Sequence, residues 1–163
     1  MKQAKSWLSI AAWLSVSALM AECGRPSLKE VFGVTLNQPV SPSCALLASS
    51  DTHGGETLIE IVPPKSSSAF KTYAISVDAT NKVVRMVMAF SSEPEKAVEV
   101  LRQRYGQPNV SRVGELEWTD AQYFVHLFVD NGNADLVAST HSWAIRAGKE
   151  AAARHKNLKE LEH

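Results

Sequence analysis

The chain has 163 residues, 17 basic against 17 acidic side chains, and 45% hydrophobic residues. That length suits one domain able to bury a core of its own, with no need of a metal or a disulfide framework. The even charge leaves no basic field to hold nucleic acid or an anionic membrane surface.

Lys2 and Lys5 precede an uncharged run from Ser6 to Ala21, and Glu22 and Cys23 follow at once. A basic start, a short apolar middle and small residues at the exit are the layout of a bacterial secretory signal. Residues 1–22 are therefore expected to direct export to the periplasm or envelope. The run is shorter than the roughly 20 apolar residues of a bilayer span, and Ser6, Ser9, Ser15 and Ser17 dilute it. Cleavage after Ala21 or after Ala18 fits, and so does lipidation of Cys23, with Glu22 standing where lipoprotein signals place a small residue. If Cys23 is not lipidated, it is either free or able to pair with Cys44 in an oxidising compartment, a loop worth about 3 kcal/mol on the chain-entropy model. At the other end, residues 161–163 have the composition of an expression-tag remnant. Residues 23–160 are expected to form the single domain, with a core over 31–140 and a terminal helix over 141–160.

Phe32 to Pro39 is an extended opening, and Ser49 to Glu56, with Gly54 and Gly55, has the composition of a turn. Leu58 to Val62 is a short apolar strand stopped by Pro63-Pro64. Tyr73 to Val77 and Lys82 to Phe90 flank Asp78-Ala79-Thr80-Asn81, which predicts a hairpin. Strict alternation along its return strand puts Val84, Met86, Met88 and Phe90 on one face and Val83, Arg85, Val87 and Ala89 on the other. Glu93 to Tyr105 is the best-marked helix. Ser92 and Glu95 have the spacing of a capping box, Ala97, Val98, Leu101 and Tyr105 form one stripe, and Gly106 and Pro108 stop it. Glu115 to Thr119, Tyr123 to Val129 and Ala134 to Ser139 are strands, the last two joined through Asn131-Gly132. Ser142 to Leu158 is a helix with a thin apolar stripe, weakened by Gly148 by about 1 kcal/mol relative to Ala. No internal repeat stands out. The expected class is α+β: an antiparallel β-sheet of about five to six strands, one helix packed across a face, and a marginally docked C-terminal helix.

Chemistry-bearing motifs are sparse. His53, His126, His141 and His155 lack a second ligand at helical or strand spacing, so no metal site is expected. No Gly-x-Ser-x-Gly elbow and no Gly-Lys-Ser/Thr phosphate loop occurs. No catalytic or cofactor-binding residue is assigned and no enzyme activity is expected; a hydrolase with an unfamiliar site would need two or more of Asp51, His53, His126 and His141 to converge. Met86, Met88, Phe90, Trp118, Phe124 and Phe128 have two readings, a soft groove for a partner or apolar ligand and an ordinary core. The Tyr123–Val129 strand is apolar on both faces, which suits a central strand or a face kept for a partner.

Three patterns occur together: Phe32-Gly33-x-x-Leu36-x-x-Pro39 with Cys44 soon after, Leu101-x-x-x-Tyr105-Gly106-x-Pro108 at a helix end, and Trp118 before a hairpin. Over roughly residues 31–138 they resemble small exported bacterial proteins of uncharacterised function. A fainter similarity is to the BamE/SmpA type of outer-membrane lipoprotein, in which a helix ending in Gly-x-Pro leads to a Trp-containing hairpin. The resemblance implies an envelope setting and no catalytic residues. The expectation is a non-enzymatic module that binds another envelope protein, as an adaptor, inhibitor or immunity factor, without nucleic acid and with membrane contact only through a lipid on Cys23. The alternatives are a carrier of a small apolar ligand in a sheet–helix groove and the hydrolase above.

Overall fold

A computed structural model describes residues 27–51, 55–78 and 83–161. The readings that fall on the export segment, Cys23 and His53 lie outside the described residues.

The chain opens with a small hairpin of β1 (Glu30–Val31) and β2 (Val34–Thr35). Its turn residues, Phe32 and Gly33, are both left-handed, at φ 52° and 81°, the geometry that matches the twist of paired strands. Glycine is needed at the second position twice over, because a Cβ there would also stand 3.0 Å from Pro64 Cβ. Phe32 is held in its unusual conformation by its ring, buried edge-on to Phe70 and Tyr73 with centroids 5.2 and 5.1 Å away.

Two meanders follow. The first is β3 (Ala45–Asp51), β4 (Glu56–Val62), β5 (Thr72–Asp78) and β6 (Val84–Ser91), followed by α1 (Pro94–Tyr105). The second is β7 (Val110–Arg112), β8 (Glu115–Thr119), β9 (Tyr123–Asp130) and β10 (Asn133–Thr140), followed by α2 (His141–Leu161). Antiparallel pairing of β6 with β10 joins them into one sheet of order β3-β4-β5-β6-β10-β9-β8-β7. The α+β class and the antiparallel sheet with a helix across one face are as expected, but the sheet has eight strands among the described residues rather than five to six. The two strands that sequence patterning missed, β3 and β7, are its two edges. An edge strand has one neighbour and no obligation to alternate, and the Ala-Leu-Leu-Ala-Ser-Ser-Asp of β3 lacks β-branched residues altogether. The ββββα unit also occurs twice, a repeat of topology without a repeat of sequence.

One face of the sheet is covered. Tyr73, Ile75, Val87, Leu136, Val125 and Trp118 point into the core from successive strands. The β1–β2 hairpin closes this face over the first meander, and α1 closes it over the second by burying Ala97, Leu101 and Tyr105. Tyr105 meets Trp118 at 6.2 Å between ring centroids, and Trp118 Nε1 donates to the Gly106 carbonyl at 2.9 Å. Glu30 ties the two covers together. Its carboxylate accepts Lys65 Nζ at 2.7 Å and Arg104 Nη2 at 3.2 Å, and its carbonyl accepts the Tyr105 hydroxyl at 3.0 Å. The hydrogen bond from Lys65, aided by the charges of Lys65 and Arg104, lowers the Glu30 carboxyl pKa against the opposing effect of burial.

Two local expectations fail for identifiable reasons. Ser92 does not cap α1: the helix starts at Pro94 with no side-chain cap bond, and the Glu93 N–H is taken by Ser91 Oγ at 3.0 Å. Proline in the first turn has no N–H to leave unpaired there. Val84 does not share a face with Met86, because β6 carries an extra residue between the pairs Val77–Val84 and Ser76–Met86. That bulge at Arg85 returns Val84 to the core, where it is 1% exposed. Cys44 is buried with no disulfide partner among the described residues, and desolvation raises its thiol pKa.

Candidate functional site

The other face of the sheet is organised in three rows that run across the strands. The first row to consider is occupied. Leu58, Ser76, Met86, Ser139, Phe124 and Thr119 are successive register partners, and the start of α2 lies over them. β6 reaches α1 through Ser92 and Glu93, whereas β10 runs into α2 with no intervening residue, and the two helices take opposite faces. Glu56 anchors α2: it accepts Trp143 Nε1 at 2.8 Å and the Ser76 hydroxyl, with Arg146 Nη2 3.3 Å away. His141 packs on Phe124 at 5.6 Å, its Nε2 3.0 Å from Thr119 Oγ1. Ser76 and Ser139 are buried as a result. Beyond this clasp α2 leaves the sheet, and every residue from Gly148 to Ala153 is exposed. Marginal docking of this helix was the sequence expectation.

The remaining two rows are open. The middle one spans the whole sheet: Ala48, Glu60, Ala74, Met88, Val137, His126, Glu117 and Val110 pair in succession. The outer one runs Thr72, Phe90, Asp135, Phe128, Glu115 and Arg112. Phe90 and Phe128 are 38% and 40% exposed, and the His126 ring stacks on Phe128 with centroids 3.9 Å apart. A depression of about 290 Å³ lies between Ala74, Met88, Phe90, Asp135 and Val137. Carboxylates flank this apolar band: Glu60 at one end, Glu115 and Glu117 at the other, Asp135 within it. None of these four has a hydrogen-bond or ion-pair partner among the described residues. Arg112, at the β7 edge, is the one lysine or arginine in the two rows.

Of the sequence-derived groove residues, Met86, Met88, Phe90, Phe124 and Phe128 therefore share one face, with Met86 and Phe124 in the row beneath α2. Trp118 does not belong with them. It lies on the covered face, 2% exposed, because the β8–β9 register pairs it with Val125. The groove is also not one between the sheet and α1, which packs on the opposite side. Asp135, Val137 and Glu117 escaped sequence reading, although a signal existed. Asn131 and Gly132 are left-handed, at φ 48° and 77°, in the two-residue turn that the Asn-Gly pair predicts. That turn sets Asp130 opposite Asn133, and counting back places Asp135 against Phe128 and Val137 against His126.

The candidate chemical residues stay apart. Asp51 ends the β3 edge strand, while His126 and His141 sit at β9 and at the start of α2, His126 stacked on Phe128 and His141 tilted against Phe124. Among the described residues no group of three or more His, Cys, Asp or Glu is placed to hold a metal ion. No described helix is long and apolar enough to cross a membrane. A second hollow of about 400 Å³ lies on the other side of the sheet beside the β3 edge, lined by Val40, Leu46, Ala48, Thr57 and Ile59. The bulge between Leu46 and Ala48 distorts that edge. No protein-family model, curated protein or solved structure matches the chain.

Proposed function

We propose that this chain is a non-enzymatic protein-binding module of the bacterial envelope, and that it binds its partner on the open face of the sheet. The observation that carries the reading is the uncovered middle and outer rows, an apolar band of Ala74, Met88, Phe90, Val137 and Phe128 framed by unpaired carboxylates. Exposed apolar surface rimmed by polar groups marks interaction sites, and methionine and aromatic side chains are enriched in the centres of protein interfaces. The partner that fits is a protein surface with an apolar centre and a basic rim, because Glu60, Asp135, Glu115 and Glu117 offer it four charges of one sign. The Lys2–Ala21 segment supports the envelope setting, and the adaptor, inhibitor and immunity roles all share this mode of binding. A carrier of a small apolar ligand has less support, since the depression beside Met88 is open and has a carboxylate in its wall.

The test is a photocrosslinking residue placed at Met88 and, as a control, at Gln103 on the exposed side of α1. In the native envelope the first is expected to give one discrete adduct whose peptide carries Lys or Arg next to the linked position, and the second none. Equal labelling from both positions, or none from Met88, would overturn the assignment of the face.

A further inference from the structure

The outer open row places a carboxylate between two phenyl rings, and this arrangement has a chemistry of its own. Asp135 on β10 is the register partner of Phe90 on β6 and of Phe128 on β9. Three adjacent side chains on one face of a sheet stand about one strand spacing apart, so the Cβ atoms of the two phenylalanines are roughly 9–10 Å apart with the carboxylate between them. Both rings are more than a third exposed, and Phe128 is steadied from the middle row by His126 stacked at 3.9 Å. The depression of about 290 Å³ opens beside the same carboxylate.

An isolated exposed aspartate would be an ordinary solvated charge. Here a half-exposed phenyl ring stands on the neighbouring strand on each side of an exposed Asp135, and Asp135 has no counter-charge among the described residues. We infer that Phe90, Asp135 and Phe128 form a receptor for one arginine side chain of the protein partner. A guanidinium is planar, donates two parallel hydrogen bonds to a carboxylate, is weakly hydrated and stacks on aromatic faces. Cation–π attraction reaches about 6 Å from a ring centroid, and a guanidinium bound at Asp135 would have a phenylalanine on the adjacent strand to either side. An ammonium group gains the charge contact but not the bidentate fork or the stacking, so arginine is preferred over lysine. Met88 and Val137, next to this trio in the middle row, take the methylene stem. The inference rests on the docking face proposed above and names what that face selects.

The test uses the full chain and small probes, independently of any partner. N-acetyl-arginine methylamide is titrated into labelled protein and followed by amide chemical shifts, beside the neutral isostere N-acetyl-citrulline methylamide and N-acetyl-lysine methylamide. Saturable shifts confined to residues 88–91, 126–129 and 134–137 are expected for arginine, weaker ones for lysine, and none for citrulline. Asp135→Asn, an exposed and nearly isosteric change that leaves the rest of the spectrum in place, is expected to weaken arginine binding about tenfold; Phe128→Leu weakens it less. Equal responses to arginine and citrulline, shifts spread over the other exposed carboxylates, or no change in Asp135→Asn would overturn the receptor. Crosslinking at Met88 reports on the face itself. An adduct there combined with no arginine selectivity removes the receptor and leaves the docking face standing, whereas loss of the adduct removes both.

Discussion

On the covered face, Ile75, Leu127 and Leu136 are at most 1% exposed beneath the β1–β2 hairpin and α1, whereas Phe90 and Phe128, on strands of the same sheet, are 38% and 40% exposed. Each strand supplies both environments by alternation, so the difference is not one of composition. It lies in what the chain provides as cover: a hairpin and a twelve-residue helix on one side, the first turns of α2 on the other. The apolar side chains left uncovered, with the unpaired carboxylates around them, make up the surface we propose for partner binding.

Substitutions separate the two faces, and the largest effect belongs to the covered one. Leu101→Ala removes a fully buried side chain of α1 and is expected to cost about 2–5 kcal/mol by chemical denaturation; a loss below about 1 kcal/mol would mean that α1 does not seal this face. Gly33→Ala comes next. A left-handed backbone and a Cβ 3.0 Å from Pro64 Cβ predict a loss of about 1–3 kcal/mol, and a stability within error of the parent would show that the hairpin cover sits elsewhere. Met88→Lys, on the open face, is expected to change stability by about 1 kcal/mol or less while abolishing the adduct formed from a neighbouring photocrosslinking position such as Val137. A collapse of stability instead would make that face part of the core. The smallest effect is on the Glu30 clasp. Its carboxyl pKa is lowered from the ordinary 4.5, so the unfolded chain takes up the proton first, and the contribution is full well above that value and lost as pH falls through the folded pKa. Glu30→Gln is expected to remove that part of the acid dependence in denaturation curves from pH 6 to pH 3. Because the group is partly exposed, the difference will be small; identical curves for the two proteins would leave the clasp without energetic weight.

The six inner strands were legible because each has two neighbours and at least one buried face, which imposes apolar alternation on the sequence. The edges β3 and β7 answer to no such requirement and left no periodic trace. α1 was legible through its stripe and its Gly106 stop, but its start was not: Ser92 has the spacing of a cap, whereas the helix begins at Pro94 without a side-chain cap bond and the Glu93 N–H goes to Ser91 Oγ. The bulge at Arg85 reversed the facing of Val84 for a reason invisible locally, the mismatch between β5 and β6. At the candidate site, the Phe128–Asp135 and His126–Val137 pairs were within reach of the Asn-Gly turn rule. The Phe90–Asp135 pair was not, because it depends on β6 finding β10 across the whole of the second meander. Trp118 was misplaced for a similar reason: an aromatic in a short strand can face either way until its partner strand is known.

The crossing of the two helices bears on how the molecule holds together in time. α1 closes the hairpin-covered first half in sequence, yet its buried stripe and Tyr105 rest on the second meander, against Trp118. α2 ends the second half, yet its anchor is Glu56 of the first. Each helix thus ties the half it ends to the other half. The two cross-half helix contacts add to the β6–β10 seam in joining the meanders. These contacts predict that the domain melts as one cooperative body, and that the fragments of a chain severed between Gly106 and Asn109 are more ordered together than apart.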